Sequence, residues 1–177
     1  MSPRSGTMRA PLPGQPVLLY LRMVPVRVFV DEVRRFVQSF CACAGVGRER
    51  EGQLALATHE LIQNAITNGI CEDIELRLAI DAAADQVEVS LTNTCAPGQA
   101  ERLQVRLAKL QAEEPLAGYV HAMADDPKAP GGLGLARIRY EAQLELEVIE
   151  SGDRLTVSAK GKLKPAQLSA ATGVGHG

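Results

Sequence analysis

The chain has 177 residues, enough for one domain with a sizeable core, and 46% of them are hydrophobic, which excludes a disordered chain. A net charge of −2 gives no electrostatic footprint for DNA or RNA, and with 3% aromatics and no tryptophan the core must be aliphatic. No apolar run approaches the length of a membrane span and residues 1–15 lack the apolar stretch of a secretory signal, so a cytoplasmic protein is expected.

Residues 1–16 are polar and carry Pro3, Pro11, Pro13 and Pro16, the composition of a disordered arm. Residues 17–24 read as a strand stopped by Pro25. Residues 26–44 place Val26, Phe29, Val30, Val33, Phe36, Val37 and Phe40 at helical spacing, which predicts a long amphipathic helix ended by Gly45 and Gly47. A second helix is predicted over residues 48–68, with Gly69 as its stop. On it, Leu54, Leu61, Ile62, Ala65 and Ile66 cluster on one side at about 100° per residue. Gln53, Glu60 and Asn64 form a narrow polar stripe beside that face. Glu60 and Asn64, four residues apart, lie one above the other at the edge of the core, where a carboxylate and a carboxamide could line a cleft. Alone, such a pair is more often a solvated helix edge.

A hairpin comes next. Ile74, Leu76, Leu78 and Ile80 alternate with polar residues, as do Val87, Val89 and Leu91, with a turn over residues 82–85. Residues 100–112 are predicted helical with Leu103, Leu107 and Leu110 facing inward, and a second helical piece runs from Pro115 towards Asp125. The cluster Gly131-Gly132-Leu133-Gly134-Leu135 precedes a helix over residues 135–142. Leu144, Leu146 and Val148, then Leu155, Val157 and Ala159, form a last hairpin turned at Ser151-Gly152-Asp153. The tail over residues 165–177 is Ala, Gly and Ser rich and is expected to be flexible. This order of elements predicts an α+β fold: a two-layer sandwich with helices on one face of a mixed or mostly antiparallel sheet.

Cys41, Cys43, Cys71 and Cys95 have no zinc-ligand spacing with His59, His121 or His176. Reduced and mostly buried thiols are expected. The chain has no Gly-Lys-Ser/Thr phosphate loop, and its glycines follow an irregular insert and not a strand, which argues against a Rossmann site.

Glu60-x-x-x-Asn64 on the second helix, then a hairpin, a long insert and the glycine cluster opening a helix: this combination resembles the Bergerat-fold (GHKL) ATPases. That superfamily includes gyrase B, histidine kinases and anti-sigma-factor serine kinases, and the short length looks most like the last group. The likeness covers roughly residues 17–160 and implies one ATPase-like domain over residues 17–164, with residues 99–130 in the place of the family's lid. It implies ATP and Mg2+ as cofactors, Glu60 as the general base, and Asn64 as the magnesium ligand through its amide oxygen. Gly131, Gly132 and Gly134 would let backbone N–H groups at a helix N-terminus approach the phosphates. Asn68 stands where the kinases often carry histidine. The family's Asp-x-Gly-x-Gly adenine motif is replaced by Asn93-Thr94-Cys95-Ala96-Pro97-Gly98. Asn93 can still accept a hydrogen bond but lacks the charge, Cys95 adds a side chain beside the base, and Pro97 removes an N–H.

The resemblance implies an ATP-dependent serine/threonine kinase that phosphorylates a small antagonist protein in a partner-switching pathway, with a sigma-like regulator as a further partner and a homodimer as a possible assembly. The alternative is a catalytically degenerate module of the same fold that works through protein contacts without ATP turnover. A third reading makes the insert a cover over some other small ligand.

Overall fold

The computed structural model of the chain describes residues 15–68, 73–124 and 132–164. A strand β1 (Val17–Met23) leads through a 3-10 turn (Arg27–Phe29) into α1 (Val30–Cys43) and α2 (Arg48–Asn68). The hairpin β2 (Ile74–Asp81) and β3 (Gln86–Thr94) follows, then α3 (Gln99–Gln111), α4 (Pro115–Ala124) and α5 (Gly132–Tyr140). A second hairpin, β4 (Glu145–Ser151) and β5 (Arg154–Lys162), closes the order.

The strands form one sheet in the order β1-β2-β3-β5-β4, and every neighbouring pair is antiparallel. The sheet expected to be mixed or mostly antiparallel is therefore wholly antiparallel among the described residues. Tight turns make both hairpins. In the first, Asp81 Oδ1 accepts from the backbone N–H of Ala83 and Ala84, and Asp85 takes a positive φ of 53°. In the second, Gly152 supplies the positive φ.

Alternation along each strand sends one set of side chains to the helices. Ile74, Leu76, Leu78 and Ile80 on β2 are all at most 3% exposed, as are Val87, Val89 and Leu91 on β3. The opposite face is polar, with Arg77, Glu88 and Lys160 on neighbouring strands. The helical layer sits on the apolar face. Val30, Val37 and Cys41 of α1 and Leu54, Leu61 and Ile62 of α2 join the same cluster. Burying each such aliphatic side chain contributes about 1.5–3 kcal/mol relative to leaving it exposed.

Several boundaries differ from the sequence reading. The helix predicted over residues 26–44 begins as a 3-10 turn, because Val26 stays extended (φ −122°, ψ 130°) and Phe29 N–H reaches back only to Val26 O. The helix predicted from Leu135 starts at Gly132, so the described glycines form its first turn instead of a loop before it. It ends at Tyr140 instead of Ala142, just ahead of Gln143 at φ 53°. Cys41 and Cys95 are buried free thiols, and burial pushes the Cys41 thiol up to about 12. Cys43 is exposed, the exception among the three described thiols, since it lies on the outer side of α1 at its last turn. Cys71, Gly69, the tail over residues 165–177 and, apart from Gln15 and Pro16, the arm lie outside the described residues.

The insert is helical where it is described. Leu103 and Leu107 of α3 are buried, and Gln111 Nε2 donates to Leu146 O of β4 at 2.9 Å. Arg139 of α5 donates to Leu110 O and Glu113 O at the end of α3. Tyr119 of α4 stacks on Tyr140 of α5, ring centroids 5.1 Å apart.

Candidate functional site

The seam between α2 and α5 is polar. Arg50, 2% exposed, donates through Nη1 to Ala142 O at 2.8 Å, and Gln53 donates through Nε2 to Glu141 O at 3.3 Å. Further along α2, Glu60 accepts from Arg137 Nη1 and lies against Gly134. The partners descend in number along α5 and the two residues after it as they rise on α2, so the two helices run antiparallel. That register carries the next turn of α2, with Asn64, towards the N-terminal end of α5.

Gly134 allows the close approach of Glu60. A Cβ at this position would come within 2.7 Å of Glu60 Oε2. Only glycine lets the carboxylate lie this close to the helix backbone. Around Gly132 the space for a Cβ is open, with nothing within 4 Å. The first turn of α5 carries no acidic side chain. Its first backbone N–H groups have no partner within the helix, and the helix dipole favours an anion there. Gly131 lies outside the described residues.

Arg137 is shared by two carboxylates. Besides Glu60 it holds Glu141, through Nε to Oε1 at 3.0 Å and Nη2 to Oε2 at 3.4 Å. The guanidinium of Arg137 keeps the Glu141 carboxyl below its ordinary range, helped by a hydrogen bond from Tyr119. Glu60 itself is largely shielded, its side chain 12% exposed.

Asn64 is oriented from its own helix. Asn68 Nδ2 donates to Asn64 Oδ1 at 2.9 Å and to Asn64 O at 3.1 Å. The neighbouring His59 turns away from this seam, its Nδ1 3.6 Å from Asp31 Oδ1 of α1.

Asn93 is 3% exposed on the helix-facing side of β3, paired in the ladder with Ile74 and Leu155. Ile74 begins the strand that follows α2, so Asn93 lies at the end of the sheet nearest the C-terminus of α2. Its Nδ2 donates to Thr94 O at 2.7 Å, which leaves the amide oxygen outside that bond. Cys95 is a core residue, 7% exposed, with its N–H on Asp153 O at 2.8 Å and its thiol pushed up by burial. The divergent stretch then turns tightly into α3. Gln99 Oε1 accepts from Ala96 N–H at 3.0 Å, and Gly98 takes a φ of 73° that other residues rarely adopt.

The fold thus brings Glu60 and the glycine turn into contact, and it pairs Asn64 with Asn68. Arg137, Glu141 and Arg50 belong to the seam and were not singled out from sequence. The readable signal for Arg137 was its place three residues after Gly134, which puts both on one side of a helix. Oxygen donors on Glu60 and Asn64 suit a hard divalent cation, and the uncapped start of α5 suits phosphate, so the residues present fit a magnesium nucleotide.

Helices on one face of an antiparallel sheet, with Glu60 against a glycine-opened helix, are an arrangement suited to a nucleotide-binding ATPase domain. The family model of the histidine kinase-like ATPase domain matches residues 28–160, and the chain belongs to that family. No curated protein matches the chain. Among solved structures, the SiaB–SiaC complex from Pseudomonas aeruginosa is similar, at 15% identity and a TM-score of 0.62, over 81% of this chain and 88% of that one. A Mycobacterium tuberculosis protein solved as its RsbU and RsbW domains is also similar, at 17% identity and a TM-score of 0.53. That match covers 85% of this chain but only 34% of the other. At these identities the likeness is one of fold. The described residues contain no helix long and apolar enough to cross a membrane.

Proposed function

We propose that the chain binds Mg-ATP between α2 and α5 and transfers the γ-phosphoryl group to a serine hydroxyl of a small antagonist protein in a partner-switching pathway. The observation that carries this reading is the contact between Glu60 and Gly134. It joins the acid of one helix to the phosphate-suited start of another, across 74 residues of sequence.

The roles follow from the chemistry of each group. Gly132 and Gly134, with Gly131 before them, open the start of α5 so that backbone N–H groups can face phosphate oxygens. Asn64 would ligate magnesium through Oδ1, in an orientation supported by Asn68. A magnesium ion held there would supply charge neutralisation for the phosphates. Glu60 would accept the proton of the attacking hydroxyl. Asn93 would receive the adenine amino group through its amide oxygen, with Cys95 packed beneath. Residues 99–130 would act as the lid, tied to α5 by Arg139 and by the Tyr119–Tyr140 stack. The likeness of fold to SiaB–SiaC, solved as a complex of two proteins, supports a protein partner; in this reading that partner is a small antagonist, a sigma-like regulator, or both.

Calorimetry with Mg-ATP on wild type and Asn64→Ala tests the reading, together with transfer of label from ATP to a candidate antagonist. Saturable binding and transfer by wild type, both lost in Asn64→Ala, are expected. Equal binding and transfer by the variant would exclude this mechanism.

A further inference from the structure

Arg137 does something for Glu60 that neither the glycine turn nor Asn64 does. It fixes one carboxylate oxygen, Oε1, by a charge-assisted hydrogen bond, while Oε2 rests against Gly134. The carboxylate is thereby held at both oxygens by a single helix. Arg137 is in turn held in place. Its Nε and Nη2 grip the two oxygens of Glu141 in a fork, and Glu141 also takes the hydrogen bond of Tyr119. Tyr119 stacks on Tyr140. The chain of contacts runs from the insert through Glu141 and Arg137 to Glu60.

We propose that Arg137 is the positioning residue of the site: it sets the direction of the Glu60 carboxylate, and Glu141 sets the direction of Arg137. The proposal deepens the kinase reading and rests on it for its catalytic consequence. Geometry makes arginine suited to the task. One planar guanidinium serves two carboxylates at once through separate N–H groups, which the compact ammonium of a lysine reproduces only in part. In phosphoryl transfer direction matters most, because catalysis comes mostly from positioning and charge stabilisation and little from proton abstraction. A misplacement of about 1 Å costs a reaction roughly a hundredfold.

The test uses the full chain and four variants: Arg137→Gln, Arg137→Lys, Glu141→Gln and Gly134→Ala. Gly134→Ala moves the same carboxylate from its other side, because the added Cβ meets only the flexible end of Glu60. The first readout is structural and needs no nucleotide: crystal structures of wild type and Arg137→Gln. Glu60 swung away from Gly134 in the variant is expected; Glu60 unmoved overturns the proposal whatever the chain binds. The second is Mg-ATP hydrolysis by the chain alone, with Mg-ADP affinity by calorimetry. For Arg137→Gln, kcat is expected to fall by about a hundredfold with KM and ADP affinity near wild type. Arg137→Lys should recover part of that loss, and Glu141→Gln should lose less than Arg137→Gln. Unchanged kcat in Arg137→Gln, or a loss confined to KM, overturns the positioning role while leaving the nucleotide reading intact. A wild-type chain that neither binds nor hydrolyses Mg-ATP overturns the kinase reading and the catalytic consequence drawn here, and the crystallographic comparison still decides whether Arg137 places Glu60.

Discussion

One side of α2 carries Leu54, Leu61, Ile62 and Ala65, each at most 3% exposed and packed in the common core. Beside it run Arg50, Gln53 and Glu60, which meet α5 and the two residues after it through hydrogen bonds and an ion pair. The two sides hold the molecule together by different physics. Apolar burial is non-directional, so aliphatic side chains of suitable volume can fill the first side in several ways. The second side is directional, because each donor needs one acceptor at one place. Apolar packing therefore supplies stability, and the polar seam supplies the register that sets α5, and with it the glycine turn, opposite Glu60.

Leu61→Ala offers the largest departure by which that division can be broken. Leu61 adjoins Glu60 in sequence but faces the core at 1% exposure. Loss of its side chain is expected to cost about 2–5 kcal/mol in urea unfolding. A cost well below that would mean the apolar side is not the main source of stability.

A smaller effect is expected at the buried end of the seam. Arg50→Met keeps most of the side-chain volume but leaves Ala142 O without its donor, at a cost of about 1–3 kcal/mol. Arg50 Nε and Gln53 Oε1 already lack partners among the described residues, so the seam is imperfectly satisfied and part of the loss is offset. If Arg50→Met were neutral by the same unfolding measurement, the polar seam would be setting register at no net stabilisation, which would sharpen the contrast further.

The smallest effect belongs to the open face of the sheet, where neither kind of packing operates. Asp73 lies between Arg22 and Arg154, and the hydrogen bond from Arg22 holds its carboxyl below the usual range. A carboxyl depressed in the folded state stabilises the fold above its unfolded value, and that contribution is lost as pH falls through the folded value. Asp73→Asn should therefore lower stability slightly at neutral pH and flatten the acid limb, the two profiles converging on acidification and the difference shrinking in salt. An equal loss of wild-type and variant stability on acidification would assign the acid limb to other groups.

Much of this architecture could be read from the residues. The alternation of Ile74, Leu76, Leu78 and Ile80 gave one hairpin, and the Leu54–Ile66 spacing gave α2 with its observed bounds, Arg48–Asn68. Periodicity reports which face of an element is apolar, and that suffices for strands and long helices. It failed at the start of α5, where glycines carry no side chain to register a period, and a helix turn looks like a loop. It also passed over Arg137 and Arg50, because a charged residue on a helix looks solvated until a neighbouring helix is in place.

The sequence alone determined the layers: an aliphatic sheet face, amphipathic helices to cover it, and an acid and an amide one turn apart at the edge of α2. Tertiary structure alone decided what that edge meets. Glu60 and Gly134 are brought together by the packing of α5 on α2, and no local rule links positions so far apart in the chain. The polar seam that fixes this contact is a matter of which donor finds which acceptor, and hydrogen-bond direction is set only when both helices have been placed.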